Sequence, residues 1–306
     1  METGDRKGMI ENAVLIAGPT ASGKSGLAAD IARRIGGVVV NADSMQVYST
    51  LRILTARPSE AEAANPPHYL YGHVDPAIAH STGAWLRDVA GLARTGLFER
   101  RRPVFVGGTG LYFSALMKGL PDFPEIPPSV REKWRHALAG DGAARLHSVL
   151  AERDPAAARG INPTDGQRIV RALEVCEVSG GKFSDLRASE GSGMVDMTTM
   201  RGIVLEPKRQ LLRERIENRL RQMVRDGALD EVDTLLRRGL DPDLPAMKAI
   251  GVRELARYLA GEFSLDEAIQ LAVIATRQYA KRQSTWFRHQ IPQGFARIAS
   301  PAEWTG

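Results

Sequence analysis

The feature that most constrains this chain is a glycine-rich segment near its N-terminus. It has the pattern G-x-x-x-x-G-K-S and consists of Gly18, Pro19, Thr20, Ala21, Ser22, Gly23, Lys24 and Ser25. On average residue frequencies this pattern arises by chance in roughly one in a hundred chains of this length. The apolar run 13–17 precedes it, and Leu27, Ile31 and Ile35 follow at helical spacing. The segment therefore lies between a buried strand and a helix, which favours a P-loop over an ordinary tight turn.

Each residue type in this segment suits the binding of phosphate. Glycines let backbone N–H groups converge on phosphate oxygens, and the N-terminus of the following helix adds partial positive charge. Lys24 would neutralise oxyanions, and Ser25 would ligate Mg²⁺. The segment thus predicts a phosphate site with Mg²⁺ as cofactor. It does not decide whether the phosphate is transferred, hydrolysed or expelled.

Further short apolar runs predict a parallel sheet. Residues 38–41, 104–106 and 201–205 have the composition of buried strands, and a helix is expected near 82–98. Strands that alternate with helices indicate an α/β fold with a doubly wound, parallel, P-loop-type sheet flanked by helices. Ligands bind at the carboxyl ends of strands in such sheets. The P-loop, residues 43–46 and residues 107–110 should therefore meet at one edge.

Two side chains in these segments are candidates for chemistry. Asp43 follows the second predicted strand, where its carboxylate would point into the crevice, although Asp at such a place is also a common cap or turn residue. Thr109 lies in the quartet Gly-Gly-Thr-Gly, which could equally be a flexible turn. Its position at a strand end would direct the hydroxyl to the same crevice.

The composition of the sequence changes after residue 120. Pro121, Pro124, Pro127 and Pro128 interrupt the chain before helical, Ala/Arg-rich segments that run to about residue 182. Residues 191–199 are polar and glycine-rich, as expected of a returning linker. We predict a P-loop core formed by residues 1–120 and 199–306, with a helical subdomain inserted at 121–198.

Basic residues are concentrated in two places. The formal net charge is only +5, but residues 268–302 contain no Asp or Glu, and Arg277 and Lys281 lie one helical turn apart within them. Arg168 and Arg171 share a face of another predicted helix, which Asp165 would cap. Such faces can follow the phosphates of a nucleic acid, or they can be a solvated surface or the outer side of a packed helix.

Several classes of protein are disfavoured by composition. Cys176 is the single cysteine, so neither an intramolecular disulfide nor a cysteine-based metal site can form, which fits a reducing compartment. The N-terminal residues are polar and lead into only a short apolar run, so no signal peptide or membrane span is predicted. A cytoplasmic protein is expected. The histidines form no H-E-x-x-H or Ser-His-Asp arrangement.

Taken together, these segments resemble the tRNA dimethylallyltransferases, also called tRNA isopentenyltransferases, from residue 18 to about 288. The resemblance rests on the P-loop, on Asp-Ser-Met-Gln-Val-Tyr at 43–48, on Val-Gly-Gly-Thr-Gly-Leu-Tyr at 106–112, and on residues 167–171, 250–253 and 275–278. One departure occurs at 54–58, where Leu-Thr-Ala-Arg-Pro replaces the usual Gly-Thr-Ala-Lys-Pro. Arg57 keeps the positive charge, but Leu54 replaces a conformationally permissive glycine.

The resemblance implies transfer of a dimethylallyl group from dimethylallyl diphosphate to N6 of the adenine at position 37 of tRNA, beside the anticodon. It implies that Asp43 accepts the N6 proton and that Thr20, Lys24, Ser25 and Arg219 act on the diphosphate with Mg²⁺. The protein would be a monomer that grips the anticodon stem-loop. The implied tRNA contacts are Asp43, Ser44, Met45, Gln46, Thr109, Arg131, Gln167, Arg168, Ile169, Val170, Arg171, Lys248, Ile250, Gly251, Arg253, Arg277 and Lys281.

Three other functions are compatible with parts of this pattern. A P-loop kinase would use Asp43 as the base and ATP as the phosphoryl donor, but the basic insertion would then lack a role. An isopentenyltransferase that acts on free adenylate would have little use for an RNA-gripping subdomain. An RNA-binding protein could employ the P-loop as a simple anion site.

Overall fold

The computed structural model describes residues 9–189 and 191–305. At its centre is a parallel sheet. The strands are β1 (Val14–Ala17), β2 (Val38–Asn41), β3 (His68–Tyr69), β4 (Pro103–Gly107), β5 (Arg201–Leu205) and β6 (Ala296–Ile298). They are arranged in the order β3-β2-β4-β1-β5-β6, and each neighbouring pair is parallel. The predicted parallel α/β sheet is confirmed, and the order places the ends of β2, β4 and β1 side by side.

Helices connect the strands. They are α1 (Lys24–Arg34), α2 (Glu60–Ala64), α3 (Thr82–Arg94), α4 (Leu97–Arg100), α5 (Gly110–Lys118), α6 (Pro128–Arg153), α7 (Pro155–Gly160), α8 (Gly166–Ser179), α9 (Phe183–Ala188), α10 (Arg209–Arg225), α11 (Ala228–Leu236), α12 (Val252–Leu259) and α13 (Leu265–Gln290). Two 3₁₀ helices span Pro245–Lys248 and Pro301–Glu303. Within the described part of the chain, no helix has both the length and the apolar character needed to cross a membrane.

The sheet is apolar on both faces, which explains the continuous apolar runs in the sequence. Side chains alternate along each strand, so Leu15 and Phe105 join one core cluster while Ile16 and Val104 join the other. All four are fully buried. Burial of each such side chain stabilises the fold by about 1.5–3 kcal/mol. The inner strands therefore form a well-buried sheet, and the segments at their carboxyl ends are anchored to it.

A separate cluster unites the helices near the C-terminus. Leu212, Ile216 and Leu220 form a buried stripe on α10, and they pack with Val273 and Ala280 of α13. A capping box starts α13, in which the side chains of Ser264 and Glu267 satisfy each other's backbone N–H groups. The cap begins a helix of 26 residues, which carries Tyr279 and Gln283 of the site described below.

The chain divides into two compact units, residues 1–117 with 193–306 and residues 118–192. The second unit contains α6 to α9 around its own core, in which Trp134, Leu150 and Leu173 are buried. Gly142, with a φ of 78°, divides α6 into two helical segments. Residues 193–198, which the sequence analysis placed in the insertion, group with the first unit because Val195 forms a parallel bridge with Ile10.

Candidate functional site

The P-loop runs from the end of β1 into α1, as the sequence predicts. Ala21 and Gly23 adopt left-handed φ values of 62° and 94°, which wrap the chain into a loop. No described side chain caps α1, so the N–H groups of its first turn are open to an external acceptor. The hydroxyl of Ser22 is buried and has no hydrogen-bond partner within residues 9–189 and 191–305. A loop with several unsatisfied donors suits a multiply charged oxyanion such as a diphosphate.

Asp43 lies directly after β2, at the same edge of the sheet. Its N–H donates to Oδ1 of Asn41 at 2.9 Å, and its own Oδ1 accepts from the N–H of Met45 at 3.0 Å. The next N–H, of Ser44, donates to Oγ1 of Thr109 at 2.9 Å. These bonds fix the turn from both sides. Thr109 therefore positions the segment that carries the carboxylate, a role that the sequence did not indicate.

The glycines after β4 are required by close packing. A Cβ at Gly107 would collide with the backbone of Ala42, and one at Gly108 would lie 3.2 Å from Oδ2 of Asp43. The absence of side chains brings the ends of β2 and β4 together. The quartet is therefore a tightly packed support beside Asp43.

Gln283 of α13 joins the P-loop to the quartet, and the sequence analysis missed it. Its Nε2 donates to the carbonyl of Gly108 at 2.8 Å, while its Oε1 accepts from the N–H of Thr20 at 2.9 Å. The side chain is almost fully buried, with 5% of the residue exposed. Because the Thr20 N–H is already bonded, the predicted contact of Thr20 with diphosphate would use its hydroxyl.

Two cations share the electrostatic surroundings of Asp43. Burial lowers the pKa of Lys24 to about 8, the negative charge of Asp43 opposes that shift, and the positive charge of Arg219 adds to it. Burial also lowers the pKa of Arg219, again opposed by Asp43. The predicted residues Lys24, Asp43 and Arg219 are thus brought together in a partly buried, net positive site.

Arg215 is a second α10 arginine at the P-loop. Its Nη1 donates to the carbonyl of Ser22 at 3.4 Å. Arg215 and Arg219 are four residues apart and so lie on one side of α10. This spacing was visible in the sequence, but α10 carries so many arginines that spacing alone could not select the pair.

Tyr71 and Tyr279 are among the tyrosines whose pKa responds to Asp43. Burial raises the pKa of Tyr71 and of Tyr279 above the usual range, and the charge of Asp43 adds to both shifts. The positive charge of Arg282 and interactions with the side chains of Gln283 and Thr109 partly offset the shift in the pKa of Tyr279. Both phenols therefore stay protonated and can donate hydrogen bonds at the site, and sequence reasoning did not identify either one.

The predicted segment 248–253 lies at the start of α12. Lys248 is exposed and pairs with Asp243 at 2.8 Å, and Arg253 is exposed as well. Gly251 has a φ of 99°, and a Cβ there would lie 2.6 Å from Cδ1 of Leu54. Leu54, the departure from the family pattern, is therefore packed against this segment.

The remaining residues of that region have mixed surroundings. Ile250 is half-buried. Arg57 donates to the carbonyls of Tyr48 and Ser49 at 2.9 and 3.0 Å, so it stabilises its own loop. Gln46 likewise donates to the backbone carbonyls of residues 55 and 56. These bonds link residues 46–57 into one packed loop after Asp43.

On α13, the predicted tRNA contacts Arg277 and Lys281 differ in their exposure to solvent and in their partners. Nη2 of Arg277 donates to Oε2 of Glu217 on α10 at 3.0 Å. Its Nε is buried and has no hydrogen-bond partner in the part of the chain that the structure describes. Lys281, one turn later, is exposed. Arg277 therefore packs against a neighbouring helix, whereas Lys281 is accessible to a polyanion.

Within the second unit, the predicted contacts lie at the start of α8, except for Arg131, which lies on α6. Arg131, Gln167 and Arg168 are exposed, and the side chain of Asp165 caps the helix by accepting from the N–H of Arg168. In contrast, Ile169 and Val170 are buried in the core of this unit. Any contact of these two residues with RNA would therefore involve their backbone.

Arg171 has a more constrained side chain than Arg168. Its Nη1 lies 3.4 Å from Oε2 of Glu174, and its guanidinium stands 5.4 Å from the centroid of the Phe123 ring. The aromatic ring and the carboxylate hold the guanidinium while 41% of the side chain stays exposed. An arginine held in this way is preorganised for a planar or anionic partner.

Comparison with known proteins places this site in context. The profile of the family described as IPP transferase matches residues 46–290, and that of isopentenyl transferase matches residues 11–69. The chain is 57% identical to the tRNA dimethylallyltransferase of Mesorhizobium japonicum over 95% of this chain and 91% of the relative. It is 58% identical to the tRNA dimethylallyltransferase of Chelativorans sp., over 92% of this chain and 97% of the relative.

Solved structures of similar proteins agree with the sequence comparison. The tRNA isopentenylpyrophosphate transferase of Bacillus halodurans matches with a TM-score of 0.64 and 34% identity, over 94% of this chain and 89% of the other. A eukaryotic dimethylallyltransferase, captured acting on tRNA, matches with a TM-score of 0.80 and 26% identity, over 96% of this chain and 75% of the other. The relatives thus share both the sequence and the fold of almost the whole chain.

Proposed function

The chain belongs to the tRNA dimethylallyltransferase family, and we propose that its prenyl transfer takes place between the P-loop and Asp43. The enzyme would transfer the dimethylallyl group of dimethylallyl diphosphate to N6 of the adenine at position 37 of tRNA, giving N6-dimethylallyladenosine and diphosphate. The observation that carries this proposal is the carboxylate of Asp43 beside a phosphate-binding loop and the cations Lys24 and Arg219.

The P-loop and the two cations suit the leaving group. When the allylic C–O bond breaks, its electron pair moves to the diphosphate, which gains negative charge. Lys24, Arg219 and the uncapped N–H groups of α1 are already in place, so they can stabilise that charge as it develops. Arg215 would add a third cation at the loop.

The residues present also fit a magnesium ion. Ser25 lies in the first turn of α1 with its residue exposed, and its hydroxyl is the type of oxygen ligand that Mg²⁺ prefers. We propose that Ser25 holds Mg²⁺ together with diphosphate oxygens. When bound, the ion would supply further neutralisation of the leaving group.

Asp43 suits the acceptor side of the reaction. The lone pair of N6 forms the new C–N bond, and one N6 proton must then be removed. Oδ1 of Asp43 is held by the N–H of Met45, which orients the carboxylate to accept that proton. Thr109 contributes by bonding the N–H of Ser44, which fixes the turn.

An adenine stacked in an anticodon loop must leave the stack to reach Asp43, at a cost of a few kcal/mol. Exposed cations offer contacts that would offset that cost: Lys281 and Arg253 in the first unit, and Arg131 and Arg168 in the second. We propose that these residues bind the anticodon stem-loop. We also propose that the protein acts as a monomer in the cytoplasm, where tRNA is available.

The direct test supplies dimethylallyl diphosphate, Mg²⁺ and unmodified tRNA, and reads the nucleosides by mass spectrometry. We expect one adenosine per tRNA to gain a dimethylallyl mass at position 37. Consumption of ATP with a small acceptor, and no prenylated adenosine, would instead support a kinase.

The role of Asp43 is tested by Asp43→Asn, which keeps an oxygen for the N–H of Met45. Turnover should fall by at least about a hundredfold, within the 10²–10⁴ range of general base catalysis, while the Kd for tRNA stays within about twofold. Asp30→Asn, an exposed acid on α1, is the matched control and should be fully active. A large loss of tRNA affinity in Asp43→Asn would show that this residue binds RNA instead.

A further inference from the structure

A second group of side chains with ligand chemistry lies outside the P-loop site. It consists of His73, His80 and Asp88. His73 follows β3, His80 precedes α3, and Asp88 lies on α3. Nε2 of His73 is 3.0 Å from Oδ2 of Asp88, and Nε2 of His80 is 2.9 Å from the same oxygen. Nothing in the proposed prenyl transfer uses these residues.

The three donor atoms are spaced for a small metal ion. In a tetrahedral Zn²⁺ site with bonds of about 2.0–2.1 Å, neighbouring donor atoms are about 3.3 Å apart. The two measured separations are only a few tenths of an ångström shorter, and all three atoms lie within 4.8 Å of one another. A small opening of the cluster would admit an ion.

The chemistry of the donors selects the class of ion. Two imidazoles and one carboxylate suit Zn²⁺ and related first-row divalent ions, whereas Mg²⁺ and Ca²⁺ prefer oxygen donors alone. The side chains of His73 and Asp88 are each 32% exposed, so the site is open to solvent on one side. Water could complete the coordination there.

The tautomers of the histidines do not oppose binding. Nδ1 of His80 is buried and has no hydrogen-bond partner among the residues that the structure describes. Without a metal, Asp88 accepts the proton of Nε2. No second acceptor among those residues holds Nδ1 in a fixed state, so the proton can move to Nδ1 and Nε2 can present its lone pair to a metal. The ion would replace two hydrogen bonds to Asp88 with three bonds to the metal.

We propose that His73 and His80, through Nε2, and the carboxylate of Asp88 bind one Zn²⁺-type ion with a structural role. The ion would clamp the segment before α3 onto that helix. This segment lies against residues 46–49: the N–H of Val74 donates to the carbonyl of Val47, and the hydroxyl of Tyr48 to the carbonyl of Ile78. The site would therefore stabilise the loop that continues from Asp43.

The test uses the full-length protein, stripped with a chelator and returned to buffer with excess Mg²⁺ to saturate oxygen-only sites. Co²⁺ is titrated first, because its visible bands report four-coordinate binding, and Zn²⁺ is then used to displace it. Thermal unfolding is recorded with and without Zn²⁺. No tRNA or prenyl donor is present, so failure here would leave the proposed prenyl transfer untouched.

We expect about one equivalent of Co²⁺ or Zn²⁺ to bind and the Tm to rise with Zn²⁺ concentration. His73→Asn and Asp88→Asn should each weaken binding by more than about 100-fold, since loss of an outer partner alone costs 10–100-fold. Both residues are partly exposed, so these variants test the site even if replacement of the buried His80 prevents folding. His136→Asn, an exposed histidine elsewhere, is the matched control and should bind as the parent does.

Two results would overturn the proposal. One is a parent protein that shows neither four-coordinate Co²⁺ bands nor a Zn²⁺-dependent Tm, which would leave the three residues as a hydrogen-bonded cluster. The other is equal affinity in the parent, His73→Asn and Asp88→Asn, which would place the bound ion elsewhere.

Discussion

Two helices of this protein carry arginines at helical spacing, and the structure gives them different surroundings. On α10, Arg215 and Arg219 are half-buried beside the P-loop, and burial lowers the pKa of Arg219. On α8, the side chain of Arg168 is 76% exposed and that of Arg171 is 41% exposed, and each pairs with an acid three residues away.

The contrast shows that burial, rather than the number of cations, separates the two predicted tasks. A charge in a partly buried site interacts strongly with a nearby developing charge, because water does not screen it. An exposed charge interacts weakly and is further reduced by salt. We therefore expect α10 to act on the reaction rate and α8 on RNA affinity.

The largest expected effect tests the α10 side of this contrast. Arg219→Gln removes a positioned cation next to Lys24, so kcat should fall by about 10²–10³. Arg219→Lys should recover part of the lost kcat, because lysine restores the positive charge but lacks the planar guanidinium group that can donate two parallel hydrogen bonds. The Kd for tRNA should stay within about twofold, which a filter-binding assay can measure alongside the rate.

Arg213→Gln is the matched control for this variant, since Arg213 lies on the same helix but is exposed. It should lose less than about twofold in kcat, as expected for an exposed charge. If Arg213→Gln and Arg219→Gln reduced kcat equally, the net charge of α10 rather than the buried position of Arg219 would be responsible, and the contrast would fail.

The sequence predicts the parts of this site that depend on local pattern. The inner strands are apolar on both faces, so β1, β2, β4 and β5 could be recognised, and with them the carboxyl edge that holds Lys24 and Asp43. The strands β3 and β6 have two and three residues, too short for a pattern to emerge. The helix expected at 82–98 ends earlier, at Arg94, because Gly96 adopts a φ of 70° before α4.

Residues that reach the site from a distance could not be predicted. Gln283 bonds Thr20 from 263 positions away, and no periodicity in α13 distinguishes it from its neighbours. The same holds for Tyr279 and for the cluster of His73 and His80, whose proximity depends on how the chain folds between them. The resemblance supplied Arg219, because no local pattern separates it from the other cations of α10. The assigned tRNA contacts remain predictions.

A smaller effect concerns pH and again separates the two regions. The pKa of Lys24 is lowered to about 8, so the amine loses its charge as the pH rises through that value. The charged fraction falls from about 0.9 at pH 7 to 0.1 at pH 9, so kcat/KM for dimethylallyl diphosphate should drop about tenfold. Arginines stay charged over this range, so the affinity of α8 for tRNA should not change.

Initial rates at subsaturating donor, measured from pH 6.5 to 9.5 with tRNA saturating, give this profile. Bound diphosphate favours the charged amine, so kcat should decline at a higher pH than kcat/KM. A kcat/KM that stays level up to pH 9.5 would mean that Lys24 does not supply the required charge.

The smallest expected effect tests α8. Replacing Arg168 and Arg171 together with Gln removes two exposed charges worth about 1 kcal/mol in total, so the Kd for tRNA should rise roughly fivefold with kcat unchanged. The slope of log K against log salt should become shallower by about 1.4–1.8, at 0.7–0.9 per phosphate contact. Arg159→Gln with Arg187→Gln, two other exposed arginines of the same unit, removes equal charge and is the control. An equal change of slope in both double variants would show that α8 contributes only general charge, whereas a change confined to Arg168 and Arg171 would assign the start of α8 to the tRNA backbone.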